Sequence, residues 1–197
     1  FSSRRRHTRF RNVTGVQTCA LPISFEGLSL LDYAINATLV ISNIALMKQD
    51  KAGVITFSNN ISNILPADKR SLQMNKINEL LYNQRTQYPE SDYELLYSTI
   101  KSKINQRSLL LLFTNFETLN ALQRNIRYLR NLATQHLLLV VFFENTELKD
   151  LLDKPAITVE EIYMKTIAEK FRFEKKLIVK ELKQYGIRSE EHTSELQ

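Results

Sequence analysis

Leu137-Leu138-Leu139-Val140-Val141-Phe142-Phe143 contains no polar residue, and Leu109-Leu110-Leu111-Leu112-Phe113 repeats the pattern. A strand with one face in water alternates apolar and polar side chains. These runs do not alternate, so each buries both faces, as in a parallel sheet covered by helices. Both have strand lengths. The longer one, the longest apolar run in the chain, falls well short of the roughly 20 residues that span a bilayer.

Working outward, residues 119–133 carry helical periodicity between the two runs, and residues 158–185 carry it after them. Upstream, residues 28–48 form a helix, with Leu28, Leu31, Ile35, Leu39, Ser42 and Leu46 on one stripe. Val40 and Ile44 widen that stripe, and Ser29 or Gly27 caps the start. Asp50-Lys51-Ala52-Gly53 ends the helix, and Val54-Ile55-Thr56-Phe57-Ser58 follows as a β-branched strand. Asn59-Asn60 is turn chemistry, and residues 61–65 return as an antiparallel partner closed by Pro66. A second helix is expected over residues 69–83, with Leu72, Ile77, Leu80 and Leu81 inward. After a loop at Tyr88-Pro89-Glu90-Ser91, a third covers residues 92–104, capped by Ser91 or Asp92. Residues 145–152 make a short helix or turn. This order predicts an α/β fold: a mainly parallel, doubly wound sheet with helices on both faces.

The two ends of the chain read differently. The tail Arg188-Ser189-Glu190-Glu191-His192-Thr193-Ser194-Glu195-Leu196-Gln197 can be back-translated as AGA TCG GAA GAG CAC ACG TCT GAA CTC CAG. The reverse complement of that DNA, in a shifted frame, encodes Gly-Val-Gln-Thr-Cys-Ala-Leu-Pro-Ile. This is the string from Gly15 to Ile23. Two ends of a protein have no physical reason to be reverse complements of one another. Two library adapters flanking an insert do, and the string resembles a common short-read adapter. Residues 1–24 and 188–197 are therefore expected to be translated adapter, and residues 25–187 a partial domain.

The expectation changes what composition implies. The whole chain has a formal net charge of +6, with 27 Lys plus Arg against 21 Asp plus Glu. Without the two tails these become 21 and 18, a net of +3. The cluster Arg4-Arg5-Arg6-His7-Thr8-Arg9-Phe10-Arg11 would otherwise suggest an arm that binds phosphate by releasing counterions. Outside the tails that support for nucleic-acid binding is gone. Cys19 goes as well, which removes disulfides, thiolate metal sites and cysteine nucleophiles. His136 is then the one histidine, expected to be a satisfied or surface residue. Gly27, Gly53 and Gly186 form no Gly-rich phosphate loop.

With these elements placed, three segments carry a resemblance. They are the string from Phe25 to Asn36 (Phe-Glu-Gly-Leu-Ser-Leu-Leu-Asp-Tyr-Ala-Ile-Asn), the string from Asp50 to Ser58 (Asp-Lys-Ala-Gly-Val-Ile-Thr-Phe-Ser), and Leu110-Leu111-Leu112-Phe113-Thr114-Asn115-Phe116-Glu117. Together they resemble the bacterial family called domain of unknown function fifty-eight, a von Willebrand factor A-like fold. The middle segment, an Asp-x-x-Gly turn leading into Val-x-x-Phe-Ser, is the most specific.

The resemblance implies a binding module rather than an enzyme. Domains of this kind engage partners at a metal-ion-dependent adhesion site, where an Asp-x-Ser-x-Ser loop, a Thr and an Asp hold Mg²⁺ through hard oxygen ligands. The first strand and its loop would lie before Phe25. The second loop falls at Ser91 and Asp92. The third falls at Thr114 and Asn115, with Asn115 where the family has Asp and Glu117 two residues on. A neutral amide weakens charge compensation of the ion, so Ser91, Asp92, Thr114 and Asn115 are remnant positions and no cofactor is expected. The resemblance also implies a sheet in which the first strand is central. The partial domain would lack it, leaving apolar strand edges that favour aggregation. Residues such as Val13 to Leu21, modestly strand-like, are expected to fill the slot.

The implied partner is a MoxR-type AAA+ ATPase, the location cytoplasmic, and any membrane attachment through upstream segments. A nucleotide-dependent enzyme or hydrolase would need a Gly-rich loop or nucleophile turn before Phe25. A nucleic-acid binder would need the basic arm to be genuine. Residues 165–183 mix Lys170, Arg172, Lys175, Lys176 and Lys180 with Phe171, Leu177, Ile178 and Leu182. This reads as a helix packed on the sheet with a solvated basic face, the rival being docking to a membrane surface or acidic partner. Arg124, Arg127 and Arg130 read as another solvated face. The triplets Asn36-Ala37-Thr38 and Asn60-Ile61-Ser62 are discounted as glycosylation sites.

Overall fold

The computed structural model describes residues 11–17, 24–25, 28–82, 84, 91–116, 118–143, 152–153, 155 and 158–192. The strands are β1 (Arg11–Gln17), β2 (Ser24–Phe25), β3 (Leu28–Ser29), β4 (Lys51–Phe57), β5 (Ile61–Asp68), β6 (Ser108–Phe113), β7 (Leu137–Phe143) and β8 (Arg188–His192). The helices are α1 (Leu30–Met47), α2 (Gln73–Tyr82), α3 (Tyr93–Lys103), α4 (Leu119–Gln135) and α5 (Val159–Gln184). The expected helix or turn at residues 145–152 lies, up to residue 151, outside the described residues, as do Tyr88, Pro89 and Glu90.

The architecture is mixed α/β. Six strands form one sheet in the order β5-β4-β1-β6-β7-β8. Every neighbouring pair is parallel except β4 with β5, which is antiparallel. The unalternating runs behave as their chemistry requires. Ile55, Phe57, Leu110, Leu112, Leu138, Val140 and Phe142 meet α3, α4 and α5 in one apolar cluster. Leu111, Phe113 and Val141 face α1, while Ala52 and Val54 pack with α1 and α2. Both faces of the sheet are thus covered.

The central slot is filled by a segment that lies before Phe25 and overlaps the residues expected there, so residues 25–187 supply no strand at that position. Arg11–Gln17 pairs in parallel with Lys51–Phe57 on one side and with Ser108–Phe113 on the other. Unpaired backbone N–H and C=O groups between two buried strands are costly. A seven-residue extended segment removes that cost by its backbone alone. The segment begins two residues ahead of the expected Val13. A second strand from the tails, β8, adds to the edge of β7, which the sequence did not suggest.

Local capping sets where helices begin. Ser29 caps α1 in a capping box with Asp32, and Thr158 caps α5 in another with Glu161. The buried face of α1 shares Leu31 and Ser42 with the expected stripe, and Ile35, Leu39 and Leu46 pack at its margin. Leu30, Leu31, Ala34, Thr38, Ser42 and Ala45 are buried, whereas Val40 and Ile44 are 52% and 47% exposed. Ala34, Thr38, Ser42 and Ala45 let this helix lie close to the sheet, and Leu30 and Leu31 are buried at its start. No unbroken apolar run in the same helix approaches the length that spans a bilayer. Taken whole, the helix has 18 residues with a mean hydropathy of 1.5, sufficient by length and composition.

At α2, Leu72 is exposed and precedes the helix, and the inward position is Gln73. The Gln73 amide donates to the carbonyls of Ala52 and Pro66. It thereby ties β4 to β5 where their register shifts between Ala52 and Val54. Gly53 sits at that shift, and a Cβ there would lie 2.7 Å from the Ala67 nitrogen and 2.8 Å from the Leu65 carbonyl oxygen. Only glycine permits so close a backbone approach.

Candidate functional site at the C-terminal end of the sheet

The four sequence-chosen positions converge on the end of the sheet where the parallel strands point. Asp92 stands against the end of β4, its N–H donating to the Ser58 carbonyl at 2.8 Å. Its carboxylate is the N-cap of α3, accepting from the Leu95 N–H at 2.9 Å. Ser91, half-buried, precedes it. Thr114 follows β6 directly and is buried, its N–H donating to the Val141 carbonyl at 3.3 Å. Its hydroxyl lies 2.5 Å from the Tyr93 hydroxyl. Asn115 is half-buried, and its Oδ1 is enclosed without a hydrogen-bond partner among the described residues. Glu117 lies outside the described residues.

Tyr93 is the residue that sequence reasoning missed. It begins α3, reaches Thr114 across the loops, and anchors a row of rings. Phe57 meets it edge-on at 5.6 Å between centroids, and Phe116 stacks on it at 5.3 Å. Phe116 then meets Phe142 at 6.3 Å. These rings come from the ends of β4, β6 and β7 and from α3. In open α/β sheets the crevice at the strand ends is the usual seat of small ligands. Here aromatic side chains fill the ground beneath Asp92 and Thr114, at spacings favourable for edge and offset contacts. No single position signalled this. Four aromatics at strand ends and at a helix start become a row only once the strands are ordered.

Mg²⁺ takes an octahedron of oxygens with carboxylate charge. The Thr114 hydroxyl is engaged by Tyr93, and the Asp92 carboxylate by the α3 backbone. Asn115 offers one neutral oxygen. Among the described residues, no three His, Cys, Asp or Glu side chains come together. These residues do not fit the ion.

Beside this end lies an open polar groove of about 440 Å³ between the start of α3 and α4, lined by Asn59, Asp92, Glu94, Arg124, Arg127 and Tyr128 among others. The Arg127 guanidinium lies 4.4 Å from the centre of the Tyr128 ring and 3.8 Å from the Glu94 carboxylate. The Tyr128 hydroxyl also bonds to Glu94, which raises its pKa above the ordinary phenol value. These groups are exposed, so their pairing adds little stability. They do form a rim of fixed charge and aromatic surface.

His136 is at the opposite end of the sheet. It is neither a satisfied nor a surface residue: it is 3% exposed, and neither ring nitrogen has a hydrogen-bond partner among the described residues. Burial, and then the charge of Arg107, push its pKa below the usual imidazole value.

No family model matches the chain, and no curated protein matches it. Among solved structures, proximal thread matrix protein 1 from the mussel byssus is similar with a TM-score of 0.45 at 7% identity, over 70% of this chain. This chain spans 38% of the length of that protein. An uncharacterized membrane-spanning protein from Vibrio fischeri is similar with a TM-score of 0.28 at 11% identity, over 68% of this chain and 71% of that one.

Proposed function

We propose that this chain is a non-catalytic protein-interaction module with a doubly wound, von Willebrand A-like fold, and that it engages its partner at the C-terminal end of the sheet. The observation that carries the reading is the aromatic row from Phe57 through Tyr93 and Phe116 to Phe142. A small substrate needs a concave, largely apolar pocket that encloses it. The row fills that space, and what faces outward is the polar rim of Asp92, Glu94, Arg124 and Arg127. Such a rim suits a protein surface. The sheet order, with an antiparallel strand next to a parallel set, is compatible with the A-like topology.

The partner proposed is a MoxR-type AAA+ ATPase, met in the cytoplasm, and binding does not depend on Mg²⁺. The test is binding of the full chain to such an ATPase, without nucleotide, by biolayer interferometry in EDTA and then in Mg²⁺. Equal affinity in both buffers is expected, with a loss of at least about tenfold in Arg127→Glu, the effect of removing one good charged contact. The Arg127→Glu melting temperature should be unchanged, because the side chain is 72% exposed. A strict requirement for Mg²⁺, or full affinity in Arg127→Glu, would overturn the site.

A further inference from the structure

α5 packs into the core along its second half. Ile178 and Leu182 are buried in the apolar cluster with α3, α4 and the sheet, and the Glu174 carboxylate accepts from the Leu119 N–H at the start of α4 at 3.0 Å. Residues 159–173, ahead of that bond, join none of the apolar clusters of the core, and Ala168 alone among them is buried. Yet this half is not polar. Val159, Ile162, Tyr163 and Phe173 are 82%, 53%, 67% and 61% exposed. Large apolar side chains gathered on a surface mark a contact.

The charges around them say what that contact is with. At about 100° per residue, Val159, Ile162, Thr166, Phe173 and the half-buried Leu177 form a row on the side of α5 away from Ile178 and Leu182. Lys165, Arg172 and Lys176 line one flank of the row, Tyr163 and Lys170 line the other, and Lys180 continues it. The carboxylates lie elsewhere or are offset. Glu160 is on the core side, Glu161 is held in the Thr158 capping box, Glu174 is bonded to α4, and Glu181 is half-buried. Glu169 alone is exposed at the edge of the row. Lys165 stands four residues before it and Arg172 three after, the spacing at which opposite charges offset each other on a helix. Five cations therefore surround the row against one exposed carboxylate. Cations on both flanks of an apolar row match a surface that is anionic throughout and apolar beneath. A bilayer containing anionic lipid is such a surface. A nucleic acid or an acidic protein patch offers the charge without the apolar layer.

We infer that α5 is an interfacial helix that docks this chain on an anionic lipid surface. It lies parallel to the bilayer, with Ile162 and Phe173 at the boundary of headgroups and acyl chains and Lys165, Lys170, Arg172 and Lys176 among the lipid phosphates. The core side of the helix stays on the sheet, so binding requires no unfolding. The attachment is reversible, and it does not rest on the reading of the polar rim.

The chain has no tryptophan, so Phe173→Trp gives the full chain a single fluorescent reporter on the row, and Phe171→Trp gives one on the core side of α5. Each is titrated with vesicles of phosphatidylcholine alone, and of equal parts phosphatidylcholine and phosphatidylglycerol, with and without brominated acyl chains. In the mixed vesicles Phe173→Trp should shift to the blue and be quenched by the bromolipid, while Phe171→Trp changes little. Adding Arg172→Glu and Lys176→Glu to the Phe173→Trp chain should weaken partitioning at least about tenfold, with circular dichroism confirming that the fold persists. The arginine cluster of residues 4–11 attracts the same vesicles but cannot bury the reporter on α5. Binding without a blue shift would assign the attraction to that cluster and overturn the inference. Equal quenching at both positions would overturn the assigned face, and an equal response to neutral vesicles would overturn the role of the cations. An equal blue shift with heparin would assign the row to a polyanion in place of lipid and overturn it as well.

Discussion

β1 and β8 arise from opposite ends of the chain, both outside residues 25–187, and both join the sheet in parallel. Their positions make them unequal. β1 pairs along Arg11–Gln17 with β4 and, over nearly the same length, with β6. β8 pairs with β7 alone, through five residues. In the interior of a sheet every N–H and C=O of a strand is committed to one neighbour or the other. At an edge about half of them face outward. Two segments of similar polar character can therefore matter very differently, because the sheet reads their backbones before it reads their side chains.

Deleting residues 1–24 is the most severe way to probe that inequality. It strips the partner from β4 and β6 together and opens a gap between two buried apolar strands. We expect the remaining chain to lose its single cooperative thermal transition and to bind a hydrophobic dye, as a loosely packed state does. Retention of a sharp transition would show that β4 and β6 can close on each other and that the centre is dispensable. Gly15→Pro is the milder version. It removes one N–H from the middle of β1, where a ladder partner waits on either side, and should cost roughly 2–3 kcal/mol by urea unfolding. A Gly15→Pro chain as stable as the parent would mean that β1 is not paired in solution.

Truncating residues 188–197 addresses the edge. Folding should remain cooperative, with a loss of about 1 kcal/mol, or about 2–4 °C in melting temperature for a chain of this size. The larger consequence is colloidal. The edge of β7, from Leu139 to Phe143, loses its cover, and an uncovered apolar edge invites pairing between molecules. Light scattering of the truncated chain should rise with time at concentrations where the full chain stays clear. A loss as large as that of Gly15→Pro would erase the difference between centre and edge.

Much of the interior was legible because buried parallel strands write both faces in apolar residues. β7 has the bounds that its sequence alone suggests, and β6 starts one residue earlier. Caps were legible too, since Ser29 and Asp92 are short polar side chains just before apolar periodicity. The α1 face was legible only in part. Leu31 and Ser42 lie on the stripe that periodicity suggests, but Ala34, Thr38 and Ala45 do not, because periodicity cannot weigh small side chains in a helix that is apolar on two sides. Gln73 was missed for a related reason. Its value lies in two carbonyls, of Ala52 and Pro66, which come together only at the β4–β5 register shift. At the candidate site, Asp92 and Thr114 were legible as loop residues at strand ends. Tyr93, which joins them, was hidden, because its partner lies 21 positions away.

The smallest expected effect lies on the edge side of the sheet and tests it without altering the backbone. His136 caps the end of α4, its N–H donating to the Leu132 carbonyl at 2.9 Å, and stands immediately before β7. Its pKa is lowered in the folded state, chiefly by burial and then by Arg107, which precedes β6. In the unfolded chain it titrates near the ordinary value of 6.5. As pH falls below about 6.5 the unfolded chain therefore takes up a proton that the folded chain resists. This contribution to stability is complete above that pH and is lost as the pH drops toward the depressed folded value. Melting temperature followed from pH 8 down to pH 5 should be level at first and then decline. In His136→Met, which replaces the imidazole with an apolar side chain of similar bulk, that part of the decline should vanish. If the two chains decline together, the acid sensitivity in this window does not come from His136. The base of β7 would then owe its stability to packing alone.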